Sequence, residues 1–199
     1  MDQRLVIPAV AVAALVAGEL AVILTSTSQH AELRVVGHPE ARVFVLLIGW
    51  SFVGSGLVAW HRRRTNRFGA LMVAVGFAWF AAALTASNSP VLFSIGLVIA
   101  PLWIGIFLHA LLSFPTGRLE SGATRLIVAV YYFDVTVLQL AWVMFADVQR
   151  SPDCASCPQN VFLLSDLQAV ASAVLIVEQP ILGVFCLQIR QQEDILRAR

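Results

Sequence analysis

Glu19, His109, Asp134, Asp166 and Glu178 are titratable side chains that stand in or at the edge of long apolar runs. A charge at the middle of a bilayer costs at least ~2.5–3.5 kcal/mol. Asp134 and Glu178 are therefore expected to face a bundle interior, to be neutral, or to have partners. Glu19 and Asp166 lie nearer the outer face, within reach of interfacial water. Two readings stay open for the set Glu19, His109, Asp134 and Glu178. It is a ligand or proton site inside a bundle, or a buried hydrogen-bond network that holds helices in register. His109 and Asp134 stand out because a single polar break, residues 115–125, separates their two apolar runs. A helix rises about 1.5 Å per residue, which puts them about 9 and 14 Å above that break. Contact between the two is the hypothesis that follows.

Cys154-Ala155-Ser156-Cys157 is the second group with chemical potential. A disulfide closing so small a ring restrains the unfolded chain by about 2 kcal/mol. Half a zinc site would need two further ligands, for which His30 and His38 are the candidates. Catalytic thiol–disulfide exchange would need a quinone or a second cysteine pair. The only other cysteine, Cys186, is expected at the opposite face, which leaves a relay without a second station. A local disulfide or a loop-bracing pair without turnover is the expectation. No phosphate loop, dinucleotide fingerprint, nucleophile elbow or H-E-x-x-H pattern occurs. No catalytic residue, metal or cofactor is expected.

Composition says what must position these groups. Hydrophobic residues make up 59% of the 199 and charged ones 13%, with a mean hydropathy of +0.82. Soluble domains average about 45–50% apolar and 25% charged, so a water-soluble globule is a poor explanation. Six apolar segments emerge, at about 5–25, 43–60, 69–87, 91–113, 125–145 and 163–187. The second is near the short limit for a span, with Trp60 and Arg42 placed to relieve the mismatch. The first is too long for a secretory signal and lacks a small-x-small cleavage site. The expected fold is an all-α integral membrane protein: a six-helix bundle over residues 1–187, then the start of a cytoplasmic signalling helix at 188–199.

The arginines set the expected topology. Arg4, Arg62, Arg63, Arg64, Arg67, Arg118, Arg125, Arg190, Arg197 and Arg199 fall at one set of span ends, and Arg34, Arg42 and Arg150 at the other. A ten-to-three split places both termini in the cytoplasm, and His61-Arg62-Arg63-Arg64 reads as a topology anchor rather than a nucleic-acid site. Small residues at four-residue spacing suggest the packing faces: Ala70, Ala74, Ala78, Ala82 and Ala86; Ala13, Ala17 and Ala21; Ser51 and Ser55. Pro101 and Pro180 each remove a helical N–H and loosen the carbonyls of Leu97 and Ile176. Pro180, two residues beyond Glu178, is the candidate hinge.

His109-Ala110-Leu111-Leu112-Ser113-Phe114-Pro115-Thr116-Gly117-Arg118-Leu119 resembles the H-x-L-L-x-F-P-x-G-R-L stretch of the membrane sensor region of bacterial histidine kinases paired with NarL/LuxR-type regulators. Asn66-Arg67-Phe68-Gly69, Tyr132-Phe133-Asp134 and Cys154-Ala155-Ser156-Cys157-Pro158-Gln159-Asn160 resemble that family's N-R-[IF]-G, aromatic-x-D and C-x-x-C-P-x-N stretches, in the same order. Together they cover about residues 62–165. The resemblance implies an N-terminal sensory module in the inner (plasma) membrane of a two-component system. It would pass a stimulus through the sixth span. The lipid bilayer and a second copy or a cytoplasmic kinase or output element would be its partners. No H-box, N-box or G-box occurs in the 199 residues, so no kinase activity is expected of them. The alternatives are a small membrane thiol–disulfide or quinone oxidoreductase using the C-x-x-C, and a structural membrane subunit without chemistry.

Overall fold

Hydrocarbon offers no water to backbone amides, so apolar runs of this length fold as helices, whose polar groups pair internally. A computed structural model describes residues 3–29, 39–62, 67–150, 154, 156–167 and 169–174. Its regular structure is all helical, with no strand among the described residues. The helices are α1 (Gln3–Thr27), α2 (Pro39–Arg62), α3 (Phe68–Ala82), α4 (Pro90–Ile99), α5 (Leu102–Leu112), α6 (Gly122–Phe133) and α7 (Gln139–Phe145). A 3-10 turn, Ala83–Ala86, ends α3, and a π-helical turn, Asp134–Leu138, joins α6 to α7.

Five stretches are long and apolar enough to cross a membrane: Val6–Thr27, Val43–Arg62, Phe68–Ala86, Pro90–Leu112 and Gly122–Phe145. The second helix is longer than the sequence suggests, at 24 residues. Pro39 opens it at a position where the missing N–H costs nothing. The sixth expected segment is corrected at its start. Residues 156–167 carry no helix, and helix is found at 169–174. The rest of that segment, with Glu178, Pro180 and Cys186, lies outside the described residues, as does 188–199.

The reason for the late start is the end of α7. A helix leaves its last four carbonyls without partners. Here Ala146 N–H donates to Trp142 O at 2.8 Å, Asn160 Nδ2 to Val143 O at 2.6 Å, Leu164 N–H to Met144 O at 3.0 Å and Leu167 N–H to Phe145 O at 3.3 Å. Leu164 and Leu167 reach back to two of these carbonyls, which holds residues 163–167 against the end of α7 instead of letting them begin a span.

Neighbouring spans pack in chain order, with α3 between α1, α2 and α5. The alanine and serine stripes are contact faces only in part: Ala21 and Ala86 are buried, whereas Ala13, Ser51, Ser55 and Ala70 are exposed. The contact between α2 and α3 is built on glycine. A Cβ on Gly56 would lie 2.7 Å from the Gly69 carbonyl oxygen, and one on Gly69 would lie 2.7 Å from that of Gly56. One on Gly76 would lie 2.7 Å from the Gly49 carbonyl oxygen. The two helices touch backbone to backbone along Gly49/Gly56 and Gly69/Gly76, which alanine would not permit.

The two ends of the bundle are tied separately. At the arginine-rich end, Gly117 (φ +72°) sits so close to the start of α3 that a Cβ would lie 2.3 Å from Phe68 N, and the rings of Phe68 and Phe114 meet edge-on at 5.3 Å. At the other end, Asn88 donates to Thr27 O at 2.7 Å and accepts from Gln29 N–H at 3.0 Å, closing α1 onto the α3–α4 turn.

Gly56→Val should lower the stability of the detergent-solubilised protein by about 1–3 kcal/mol, the usual cost of overpacking a filled interface. Gly54→Ala, at an exposed position with nothing within 4 Å of the new carbon, should change it by less than ~0.5 kcal/mol. Thermal unfolding of both variants checks the assignment; equal effects would remove the glycine seam from the α2–α3 contact.

Candidate functional site

The fourth span is two helices. Pro101 has no N–H to give Leu97 O, so the ladder stops at Ala100, whose N–H reaches Gly96 O at 2.8 Å, and resumes at Leu102. Gln139 fills the gap from the next span. Its Nε2 donates to Leu97 O at 2.6 Å.

Gln139 is the first residue after the π turn. Val135, Thr136 and Val137 form a β-branched run that crowds a regular helix. Thr136 Oγ1 also donates to Tyr132 O at 2.5 Å, a back-bond of the kind that bends helices. The Gln139 backbone N–H accordingly reaches five residues back, to Asp134 O. The turn widens where α6 and α7 face the broken span.

Asp134 begins this turn and is 7% exposed. Its Oδ1 is the buried side-chain oxygen or nitrogen without a hydrogen-bond partner among the described residues. The expected His109–Asp134 contact is corrected: His109 Nδ1 shares a hydrogen bond with Tyr132 Oη at 3.3 Å instead, the two rings edge-on at 5.9 Å. Depth brought the right helices together, but Tyr132, two residues before Asp134, occupies the face that meets His109. Leu108, Tyr131 and Val135 form the buried apolar cluster beside them.

Glu19 does not join this group. It is exposed on α1, whose neighbours are α2, α3 and the 3-10 turn. Glu178 and Pro180 lie outside the described residues. Asp166 pairs with Arg150, which also reaches Asp147 at 3.5 Å.

Cys154 and Cys157 are joined in a disulfide. Cys157 packs with Phe93 and Val148, and Leu97, Trp142 and Cys154 close around them. Gln149 Nε2 donates to Cys157 O at 2.8 Å. Ser94 donates to Pro90 O at 2.7 Å and accepts from Val161 N–H at 2.9 Å, pinning the loop to α4. His30 and His38 lie outside the described residues, and no group of three metal-ligating side chains occurs among the described ones.

Gln139 is the residue that sequence reasoning missed. The orphaned Leu97 carbonyl was legible, and a polar side chain at matching depth on the next span was the signal that could have supplied its partner.

Comparison with protein-family models, curated proteins and solved structures returned no match.

A double-mutant cycle on His109→Leu and Tyr132→Phe, read by thermal unfolding in detergent, should give a coupling of about 0.5–1.5 kcal/mol. The cycle on His109→Leu and Asp134→Leu should be additive within about 0.5 kcal/mol. Asp134→Leu alone should leave stability unchanged or raised, since it removes a buried oxygen that has no partner. A loss above ~1 kcal/mol would make Asp134 a register-holding group instead.

Proposed function

We propose that the chain is a membrane-embedded sensory or regulatory input module of a histidine-kinase-type signalling system. It resides in the bacterial plasma membrane, with six spans and both ends in the cytoplasm. The observation that carries this reading is the junction of the fourth and fifth spans. A helix broken at Pro101 and a helix widened at Asp134–Leu138 are joined through the Gln139–Leu97 bond, beside a buried carboxyl whose Oδ1 is unpaired. Irregular backbone of this kind, placed in two facing helices, is a bistable element rather than a rigid strut. One such bond contributes about 0.5–1.5 kcal/mol net, which biases a two-state equilibrium about 2- to 13-fold; the ~5.5 kcal/mol that takes it from 1:99 to 99:1 requires further contacts that differ between the two states.

The orientation rests on two physical asymmetries that agree. Arg62, Arg67, Arg118 and Arg125 mark one end of the described bundle, and the Cys154–Cys157 disulfide marks the other. Arginine-rich ends stay in the cytoplasm, and disulfides persist in oxidising space. The order of the motif stretches between residues 62 and 165 supports the kinase-type partner, and the sixth span is the route to it.

Hydrogen–deuterium exchange on the full chain in lipid nanodiscs tests the reading. Gln139→Leu should speed exchange about fivefold over 97–105 and 134–143, the factor that ~1 kcal/mol of lost bonding gives, and should alter exchange over 188–199 as well. Pro101→Ala restores the missing N–H and should act in the opposite direction. Effects confined to the two spans in both variants would reduce the junction to a plain structural bond.

A further inference from the structure

We infer that the Cys154–Cys157 pair is a thiol–disulfide switch that sets the Pro101 junction, so that the stimulus is the redox state of dithiols on the disulfide side of the membrane. The inference rests on the reading of the junction as the signalling element and names what moves it.

Its physical basis is where the sulfurs pack. Cys157, 6% exposed, lies against Phe93 and Val148, with Leu97 and Trp142 closing the cluster. Leu97 carries the carbonyl that Gln139 holds. Trp142 stands three residues beyond Gln139, one turn on along the same face of α7. Both sides of the bridging hydrogen bond are thus wedged by side chains that touch the disulfide cluster. The same loop is fixed to α4 through Ser94 and to α7 through Asn160. A change in the shape of residues 154–157 has a route into both spans.

The exchange balances with a dithiol as reductant. One thiolate of the dithiol attacks Cys154 Sγ, the half-buried sulfur of the pair. The Cys154–Cys157 bond breaks, a mixed disulfide forms, and Cys157 leaves as a thiolate and takes up a proton. The second thiol of the dithiol, losing its own proton, closes on the first and releases Cys154. Two electrons and two protons pass to the protein, and the dithiol departs as a disulfide. Two thiols need more room than one bond, and the half-buried Leu97 and Trp142 are the side chains that border it. Leu97 and Trp142 then shift, and the Gln139–Leu97 bond lengthens or parts.

Exchange mass spectrometry on the full chain in nanodiscs, with and without dithiothreitol, decides the matter. Reduction should raise exchange over 97–105 and 134–143 by about fivefold, and reoxidation with oxidised glutathione should reverse it. Cys186→Ser should respond like the wild type. Cys154→Ser/Cys157→Ser should show the reduced pattern and ignore dithiothreitol. A response confined to 146–167 in the wild type overturns the switch, whether or not the double variant folds. That result leaves the junction reading standing if Gln139→Leu still alters 188–199. Loss of the Gln139→Leu effect alone strikes the junction reading and with it the signalling meaning of the switch.

Discussion

The described bundle depends on what is done with backbone carbonyls that neighbouring helices can reach. Three interhelical hydrogen bonds end on such carbonyls, and each falls four residues before a residue that lacks something. Trp50 Nε1 donates to Ala14 O at 3.1 Å, and Gly18 follows. Trp79 Nε1 donates to Val45 O at 3.0 Å, and Gly49 follows. Gln139 Nε2 donates to Leu97 O, and Pro101 follows. Glycine leaves its own carbonyl partner in place but removes the Cβ that would shield it: on Gly18 that carbon would lie 2.7 Å from Trp50 Nε1. Proline removes the N–H itself. Lipid exerts no hydrophobic pull between helices, so these bonds and the glycine seam supply much of the order of packing. They link the first span to the second, the second to the third, and the fourth to the fifth.

The difference between the glycine and proline cases matters for the proposed function. The Ala14 and Val45 carbonyls already serve their own helices, and the tryptophans add a second donor. Leu97 O has lost its helical partner and depends on one side chain from another span. A contact of the first kind holds; one of the second kind can be exchanged. That is why the proposed two-state mechanism is placed at the Pro101 junction rather than at the tryptophan bonds.

Much of this architecture was legible in the chain. Hydropathy located five spans, because burial of unpaired amides in lipid leaves few alternatives to long helices. The proline at 101 announced a free carbonyl at 97. What pattern could not supply was helix rotation. Depth counted from the 115–125 turn put His109 level with the Tyr132–Asp134 stretch but not on a shared face with Asp134, and the π turn rotates everything beyond it. Ala70 and Gly69 are both small and adjacent, yet only Gly69 faces Gly56, a choice set by the crossing of two backbones. Residues 163–167 read as the start of an apolar span, but the Leu164 and Leu167 amides are taken by the Met144 and Phe145 carbonyls at the end of α7. Several residues of the motif stretches also have plain structural duties: Gly117 needs a left-handed turn against Phe68, and Asn160 caps Val143.

The lone dependence of Leu97 O on Gln139 has a consequence for how the protein is made. A fourth span released into lipid by itself would carry a carbonyl with no donor, at a cost of a few kcal/mol. The donor is translated some forty residues later, on the fifth span. Co-translational insertion therefore favours keeping the two helices together at the translocon until Gln139 has arrived, so that they enter the bilayer as a hairpin rather than one after the other.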